Sequence, residues 1–214
     1  MVDLNKILAG LRVMTEAEEL EHKREQAEAE ARKAQSERSW ALRDSEIPIT
    51  DEMRAAVVRD TLKATPALAT VRQWHEAWKS GAAPVLVLVG RPGVGKGVAA
   101  AWVLSRTHRP VYLKARNLVA YHAASFGEER QRYEQAVRTE LLVVDEVGTE
   151  QREAKAAIQD VLDDRIGGKR RTLLISNLSK AALLERLDER TVDRLRELGV
   201  IVELAGKSMR SGAL

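Results

Sequence analysis

The sequence contains no cysteine, which excludes disulfide bonds, thiolate nucleophiles and cysteine-ligated zinc. No apolar run approaches the roughly 20 residues that a membrane-spanning helix needs, and the N-terminus lacks the layout of a signal peptide. The four histidines show no metal-ligand spacing; they are His22, His75, His108 and His122. These absences predict a cytoplasmic protein without membrane attachment.

Aromatic residues are scarce, at 4% of the chain, and Phe126 is the single phenylalanine. The core must therefore be built from Leu, Val, Ile and Ala. Hydrophobic residues reach 44% and charged residues 31% of the 214 positions, which suits one domain with a modest appendage. The net charge of +3 permits contact with nucleic acid without requiring it, because 32 acidic residues offset 35 basic ones.

The composition changes near residue 45. Residues 15–39 are mostly Ala, Glu, Lys, Arg and Gln, which are strong helix formers, and Leu20 is the only large aliphatic residue among them. Ahead of them lies a narrow apolar stripe with helical spacing, formed by Leu4, Ile7, Leu8 and Leu11. We interpret residues 1–45 as a helical arm whose stripe docks onto a partner. Self-association or packing on the main domain would explain the stripe equally well.

From residue 84 onward, short apolar and β-branched runs alternate with helical stretches. The runs are typical of strands buried on both faces and lie at 85–89, 111–113, 141–144, 172–175 and 200–202. The helical stretches between them cover about 95–106, 116–138, 153–166 and 179–198. This alternation predicts an α/β domain over residues 46–214, with right-handed crossovers and a five-stranded parallel sheet flanked by helices. Residues 44–50, which contain Pro48, are interpreted as a linker to this domain.

A phosphate-binding loop is predicted directly after the first strand, where Gly90-Arg-Pro-Gly-Val-Gly-Lys-Gly97 fits the pattern G-x-x-x-x-G-K. Glycines let backbone N–H groups approach phosphate oxygens without a Cβ in the way, and the following helix adds its positive end. Lys96 would reach the β- and γ-phosphates of ATP. The residues predicted to bind the nucleotide are Gly90, Gly93, Val94, Gly95, Lys96, Gly97 and Val98.

The loop departs from the pattern at one position. The pattern places Ser or Thr after the lysine, with a hydroxyl that ligates Mg²⁺, and here that position is Gly97. A water must then complete the metal shell. We expect weakened metal-dependent affinity and slow turnover.

Two carboxylates, Asp145 and Glu146, follow the third buried run. Asp145 is predicted to hold Mg²⁺, directly or through water, and Glu146 to polarise the attacking water as a general base. The fourth run ends at Asn177, whose amide can position that water near the γ-phosphate. The sequence therefore predicts a site for ATP or ADP with Mg²⁺.

Five segments, in this order, resemble the DnaC/IstB-like branch of AAA+ ATPases: GRPGVGKG, LLVVDEVG, TLLISN, ERTVDRL and GKSMRS. The resemblance covers about residues 45–212. It implies a P-loop AAA+ core with sheet order 5-1-4-3-2, and subunits assembled side by side with nucleotide between them. It also implies that Asn177 is sensor 1, Arg194 is a trans-acting arginine finger with Arg190 beside it, and Arg210 is sensor 2. We expect the helical lid after the fifth strand to be reduced or absent.

The branch contains replicative-helicase loaders and transposase-helper ATPases. The resemblance therefore implies an ATP-dependent loader that delivers a hexameric replicative DNA helicase onto single-stranded DNA, and a homo-oligomer in which Arg194 acts in trans. Two alternatives stay open at this point. One is an IstB-like transposase helper that acts on duplex DNA, and the other is a nucleotide-bound adaptor with little hydrolysis.

Overall fold

The computed structural model describes residues 16–79, 83–148, 153–206 and 208. The predicted docking residues Leu4, Ile7, Leu8 and Leu11 lie outside the described residues, and so does Arg210. The chain divides into two units between Glu37 and Arg38. Among the described helices, none is both long and apolar enough to cross a membrane.

The predicted N-terminal helix is confirmed as α1, Glu16–Asp44. In the first unit, residues 19–33 of this helix are all exposed, and Glu28 pairs with Arg32 one turn later at 3.3 Å. In the second unit, the last turns of α1 contribute Leu42, which is fully buried in the core. The charged segment is therefore a regular helix whose C-terminal turns belong to the globular unit.

A single sheet of five parallel strands forms the centre of the second unit. The strands are β1 (Val85–Val89), β2 (Val111–Lys114), β3 (Leu141–Asp145), β4 (Arg171–Ser176) and β5 (Gly199–Glu203). Their spatial order is β2-β3-β4-β1-β5, which is the predicted order 5-1-4-3-2 viewed from the other edge. The α/β fold, the five strands and the order of the sheet are confirmed.

Eight further helices surround the sheet in the described part of the chain. They are α2 (Asp51–Arg59), α3 (Pro66–Lys79), α4 (Lys96–Leu104), α5 (Ala115–Ala123), α6 (Gly127–Arg138), α7 (Glu153–Gly167), α8 (Lys180–Arg186) and α9 (Glu189–Leu198). Two predicted helical stretches were wrong in extent, because 116–138 and 179–198 are each divided into two helices. Gly127 breaks the first at φ +84°. In the second, the Asp188 side chain caps a new helix by accepting the N–H of Thr191 at 2.8 Å.

The core lies in two layers, one on each face of the sheet. Alternate residues of β1 point to opposite faces. Leu86 and Leu88 belong to the layer that includes residues of α2, α3 and α4, while Val87 belongs to the layer that includes residues of α5 to α9. Trp74 belongs to the first layer, where it is 6% exposed and its indole N–H donates to the carbonyl of Ala83. This is the ordinary core packing expected of a tryptophan on the apolar face of α3.

Arg171, at the amino end of β4, is almost completely buried, at 1% exposure. Its guanidinium hydrogen-bonds Nδ1 of His75 at 2.8 Å, forms an ion pair with Glu140 and lies 3.9 Å from the ring centroid of Trp78. Although Arg171 follows two other basic residues, Lys169 and Arg170, its side chain is not solvated. The side chain instead ties α3 to the start of two strands.

Because all five strands run in parallel, their carboxyl ends meet at one edge of the sheet. The loops after β1, β3 and β4 all begin at that edge, and these loops contain the predicted site residues.

Candidate nucleotide site

The predicted phosphate loop connects β1 to α4, and two of its glycines lie against the residues that follow β5. Gly90 has φ +141°, and a Cβ there would lie 2.6 Å from the carbonyl oxygen of Leu204. Gly93 has φ +88°, and a Cβ there would lie 2.0 Å from Oγ of Ser208. The chain after β5 therefore runs directly against the phosphate loop, and only glycine fits at both positions.

Lys96 begins α4 and is buried, at 5% exposure. Its ammonium donates hydrogen bonds to the loop's own carbonyl oxygens, those of Gly90 at 2.5 Å and Arg91 at 3.0 Å. A buried charge needs such partners. Lys96 is therefore held over the loop in the position from which it can exchange carbonyl oxygens for phosphate oxygens.

The Asp145 carboxylate at the end of β3 is held at both oxygens. The phenol of Tyr112 on β2 donates to Oδ2 at 2.9 Å, and the backbone N–H of Glu146 donates to Oδ1 at 2.7 Å. Burial raises the pKa of Tyr112 far above its ordinary value, and the Asp145 charge raises it further, so the phenol keeps its proton. Asp145 thus presents a fixed carboxylate to the adjoining space.

Glu146 has a left-handed backbone, with φ +63°, which is uncommon for a residue other than glycine. Its carboxylate forms an ion pair with Lys114 at 2.7 Å. Lys114 ends β2 and is paired in register with Asp145 on β3. The lysine therefore holds the carboxylate that the sequence predicts to be the general base.

The loop that carries Asn177 is tied to the other two loops by Ser176, which is fully buried. The Ser176 hydroxyl donates to the carbonyl of Val147 at 2.6 Å and accepts the N–H of Leu178 at 3.2 Å. Leu178 in turn accepts the N–H of Gly90 through its carbonyl. Hydrogen bonds thus connect the phosphate loop, the acidic loop and the Asn177 loop.

A cleft of about 390 Å³ opens above these loops. The predicted site residues that line it are Gly93, Gly95, Lys96, Gly97, Val98, Asp145, Glu146 and Asn177. Val94 is not among the lining residues, because its side chain is buried in the core beneath the loop. The structure therefore brings together residues that are up to 84 positions apart in the chain, from Gly93 to Asn177.

Several lining residues were missed by sequence reasoning. They are Ile47, Pro48, Ile49 and Met53 before the sheet, Pro92 in the phosphate loop, Tyr112 and Lys114 on β2, and Ile175 on β4. The interpretation of 44–50 as a simple linker was wrong, because Ile47 is buried and packs in the core. The only signal in the sequence was the pair of isoleucines that flank Pro48 in an otherwise polar segment.

The family model for the IstB-like ATP binding proteins, IstB_IS21, matches residues 23–213. The chain belongs to this family. The family model describes ATP-binding proteins, so this IstB-like chain contains an ATP-binding domain, and the cleft is the candidate site for the nucleotide.

The replicative helicase loader DnaC of Escherichia coli strain K12 is 29% identical to the IstB-like chain over 140 residues, which cover 61% of this chain and 57% of that protein. The chain thus spans a little over half the length of the curated relatives it matches. A crystal structure of the DnaC helicase loader has a TM-score of 0.56 at 22% identity, covering 68% of this chain and 95% of that one. The crystal structure of DnaI has a TM-score of 0.51 at 20% identity, covering 78% and 91%. These structural likenesses establish the AAA+ fold.

Arg190 and Arg194, the two arginines of α9 that the family resemblance singles out, do not line the cleft of their own IstB-like chain. Among the described residues that line the cleft, none comes from α9. Arg190 pairs with Asp163 on α7 at 2.8 Å, and Arg194 lies 3.5 Å from the same carboxylate and 3.4 Å from Glu197. Both arginines are therefore engaged in ion pairs on α7 and α9 and contribute nothing to the described lining of the cleft.

The cleft fits a nucleotide-bound Mg²⁺ in part. Asp145 offers carboxylate oxygen, the donor that Mg²⁺ prefers, and this ion commonly takes its other ligands from phosphates and water. Gly97 offers no donor, and a Cβ there would meet no atom within 4 Å. In the described residues, no group of three or more His, Asp or Glu side chains could hold a metal alone. A metal in this IstB-like site would therefore depend on Asp145 and on the nucleotide.

Proposed function

We propose that this protein is an ATP-dependent helicase loader that delivers a hexameric replicative DNA helicase onto single-stranded DNA at the start of replication. The observation that carries the proposal is the convergence of Lys96, Asp145, Glu146 and Asn177 on one cleft. The similarity to replicative helicase loaders along more than half of this chain supports the specific role.

In the proposed mechanism, each side chain has a part in slow ATP hydrolysis. Lys96 binds the β- and γ-phosphates, together with the N–H groups of the loop and of the first turn of α4. Glu146 accepts a proton from the attacking water as its general base, and Asn177 orients that water. Asp145 would hold Mg²⁺, which supplies charge neutralisation at the phosphates. The products are ADP and phosphate.

Assembly into a homo-oligomer completes the site. Arg194 would reach the γ-phosphate of the neighbouring subunit and stabilise the charge that develops there. Its distance from the cleft of its own chain supports this role, since an arginine finger in trans must point outward. Arg210 would contact the nucleotide from the segment after β5.

Two macromolecular partners follow from this proposal. The stripe formed by Leu4, Ile7, Leu8 and Leu11 would dock on the helicase, and basic side chains facing the interior of the oligomer would bind the phosphates of single-stranded DNA in a salt-dependent manner. Replication in bacteria and their phages places such a protein in the cytoplasm.

The decisive experiment is capture of the hexameric helicase by the 214-residue chain. We expect capture to be lost when the four stripe residues are replaced by alanine, and also when residues 1–37 are deleted. The deletion should stop at Glu37 because Leu42 is part of the core. ATP binding serves as the control and should persist in both variants. Undiminished capture by both variants would contradict docking through the arm.

A transposase helper is the second candidate, and the family model itself favours it, since it is named for IstB-like proteins. Competition between single-stranded and duplex DNA separates the two functions. Phe126, with 86% of its surface exposed, offers an aromatic face on which a base could stack. A loader should prefer single strands and lose affinity for them in Phe126→Ala, whereas preference for duplex without helicase capture would identify a transposase helper.

Residual hydrolysis that disappears in Glu146→Gln would exclude a non-catalytic adaptor.

A further inference from the structure

Tyr112 lies on the same face of the sheet as Asp145. Lys114 and Asp145 are register partners on neighbouring strands, and Tyr112 comes two residues before Lys114, so all three side chains leave the sheet on one side. A large aromatic side chain can reach such a diagonal neighbour. The phenol does so, donating to Oδ2 of Asp145 at 2.9 Å.

This contact fixes the orientation of the carboxylate. Oδ1 accepts the backbone N–H of Glu146 at 2.7 Å, so each oxygen of Asp145 carries one hydrogen bond from the protein. Tyr112 is itself 9% exposed and packs in the core, which leaves the phenol little freedom to move. Rotation of the carboxylate would therefore break a hydrogen bond held by a rigid partner.

Across the same cleft, Gly97 leaves space where the phosphate-loop pattern has a hydroxyl. The open surroundings of a Cβ at this position show that packing does not require glycine there. Tyr112 and Gly97 both line the cleft. The chain thus lacks the hydroxyl that the pattern supplies as a metal ligand at position 97. It has instead a phenol, that of Tyr112, which hydrogen-bonds the carboxylate of Asp145.

We propose that Tyr112 is a positioning residue of the metal site, which holds Asp145 for Mg²⁺ and thereby compensates for the hydroxyl that Gly97 lacks. Mg²⁺ requires near-ideal octahedral geometry, so a ligand with a fixed direction gains more affinity than a rotating one. Hydrogen bonds to metal ligands typically change metal affinity by about 10–100-fold. This proposal rests on nucleotide binding at the cleft, which belongs to the proposed function.

The test is equilibrium binding of a fluorescent ATP analogue with Mg²⁺ and with EDTA. We expect Tyr112→Phe to bind the metal-free nucleotide as tightly as the unmodified protein. The increase in affinity that Mg²⁺ produces should be about tenfold smaller in this variant. Tyr133→Phe is the matched control, because it removes the phenol oxygen from another buried tyrosine on the opposite face of the sheet. A purely structural role for Tyr112 would lower both affinities and the melting temperature together.

Gly97→Ser, placed in both backgrounds, tests the compensation. We expect the new hydroxyl to raise the Mg²⁺-dependent affinity more in Tyr112→Phe than in the unmodified protein, because the hydroxyl and the Tyr112 phenol both strengthen binding of the same ion. Equal gains in both backgrounds, or a Tyr112→Phe variant with an unchanged Mg²⁺ effect, would overturn the proposal. If the unmodified protein bound no nucleotide, the proposed function would fail and this inference with it. If Mg²⁺ raised nucleotide affinity equally in the unmodified protein and in Tyr112→Phe, the inference about Tyr112 would fail while the proposed function would stand.

Discussion

Lys114 forms an ion pair with Glu146, the carboxylate that we propose as the general base. The Lys114 Nζ atom lies 2.7 Å from the Glu146 carboxylate, and both side chains are partly exposed in the cleft. The Lys114 ammonium donates a hydrogen bond to Oε1 of Glu146, so a water that gives its proton to this carboxylate would have to compete with the lysine for it. Under the proposed function, the pair would therefore restrain hydrolysis until Lys114 moves.

Replacing Lys114 with methionine should raise the rate of ATP hydrolysis. A half-exposed ion pair contributes up to about 1 kcal/mol, which corresponds to about a fivefold increase. The measurement is phosphate release under saturating ATP, with Lys63→Met as a control that removes an exposed lysine outside the cleft. Nucleotide affinity should change little. A rate that falls in Lys114→Met would show that the lysine instead helps to bind phosphate.

The sequence predicted some residues of the cleft and missed others for a physical reason. Lys96, Asp145 and Asn177 occur in local motifs, since each directly follows a buried strand or lies in a glycine-rich loop. Tyr112 and Lys114 carry no motif, because they join the cleft only through the register of β2 with β3. That register depends on long-range pairing, which a single sequence does not encode locally.

At the scale of secondary-structure elements, Asp60 connects three helices. It ends α2 with φ +58° and accepts the indole N–H of Trp102 on α4 at 3.0 Å. It also pairs with Arg72 on α3 at 2.8 Å and with Arg106, just after α4, at 2.9 Å. Burial acts to raise the pKa of Asp60, but the Trp102 hydrogen bond and the charges of Arg106 and Arg72 outweigh it and lower the pKa below 3.8.

Asp60→Asn should destabilise the protein by about 1 kcal/mol at neutral pH, because Asn keeps the left-handed backbone but loses the charge. A carboxyl whose pKa is lowered by folding contributes its stability above the unfolded value and loses it as pH falls through the folded value. The difference between the two proteins should therefore be constant above about pH 5 and shrink below pH 3.8. Urea unfolding across this range measures it.

Asp44→Asn, at the exposed end of α1, is the matched control for the Asp60 series and should leave the free energy of unfolding nearly unchanged. If Asp60→Asn remained equally destabilising at pH 3.5 and pH 7, the loss would come from packing and not from charge.

Strands were easier to predict than helix boundaries or the connections between helices. Each predicted strand appears with at most one residue added at either end, because a wholly apolar run has no other way to be buried in this fold. The break at Asp188 was missed because the surrounding residues are good helix formers. Its signal is an aspartate at the N-cap, whose side chain accepts the N–H of the residue three positions later, but an aspartate also fits an exposed position inside a helix.

At the scale of the whole molecule, parallel topology separates the two halves of the proposed catalytic machinery. The carboxyl ends of the strands collect Lys96, Asp145 and Glu146 in one cleft, while Arg194 lies on α9 and pairs with Asp163 on another helix. The family resemblance assigns Arg194 to hydrolysis, yet the fold keeps it out of its own cleft. A single subunit would therefore hold an incomplete site.

Mixing two inactive variants tests whether neighbouring subunits share this site. Arg194→Ala should lower hydrolysis by about 10³-fold while leaving nucleotide binding intact, since an arginine finger acts on the transition state, and Glu146→Gln should be inactive through loss of its general base. Where an Arg194→Ala subunit supplies the cleft and a Glu146→Gln subunit supplies the arginine, the shared site is complete, so the mixture should recover part of the activity.

Arg196→Ala is the matched control on the same helix, because Arg196 pairs only locally with Asp193 at 3.1 Å in the described contacts. A mixture as inactive as its components, although the subunits assemble, would contradict action in trans, because complementation requires one subunit's arginine to serve its neighbour's nucleotide.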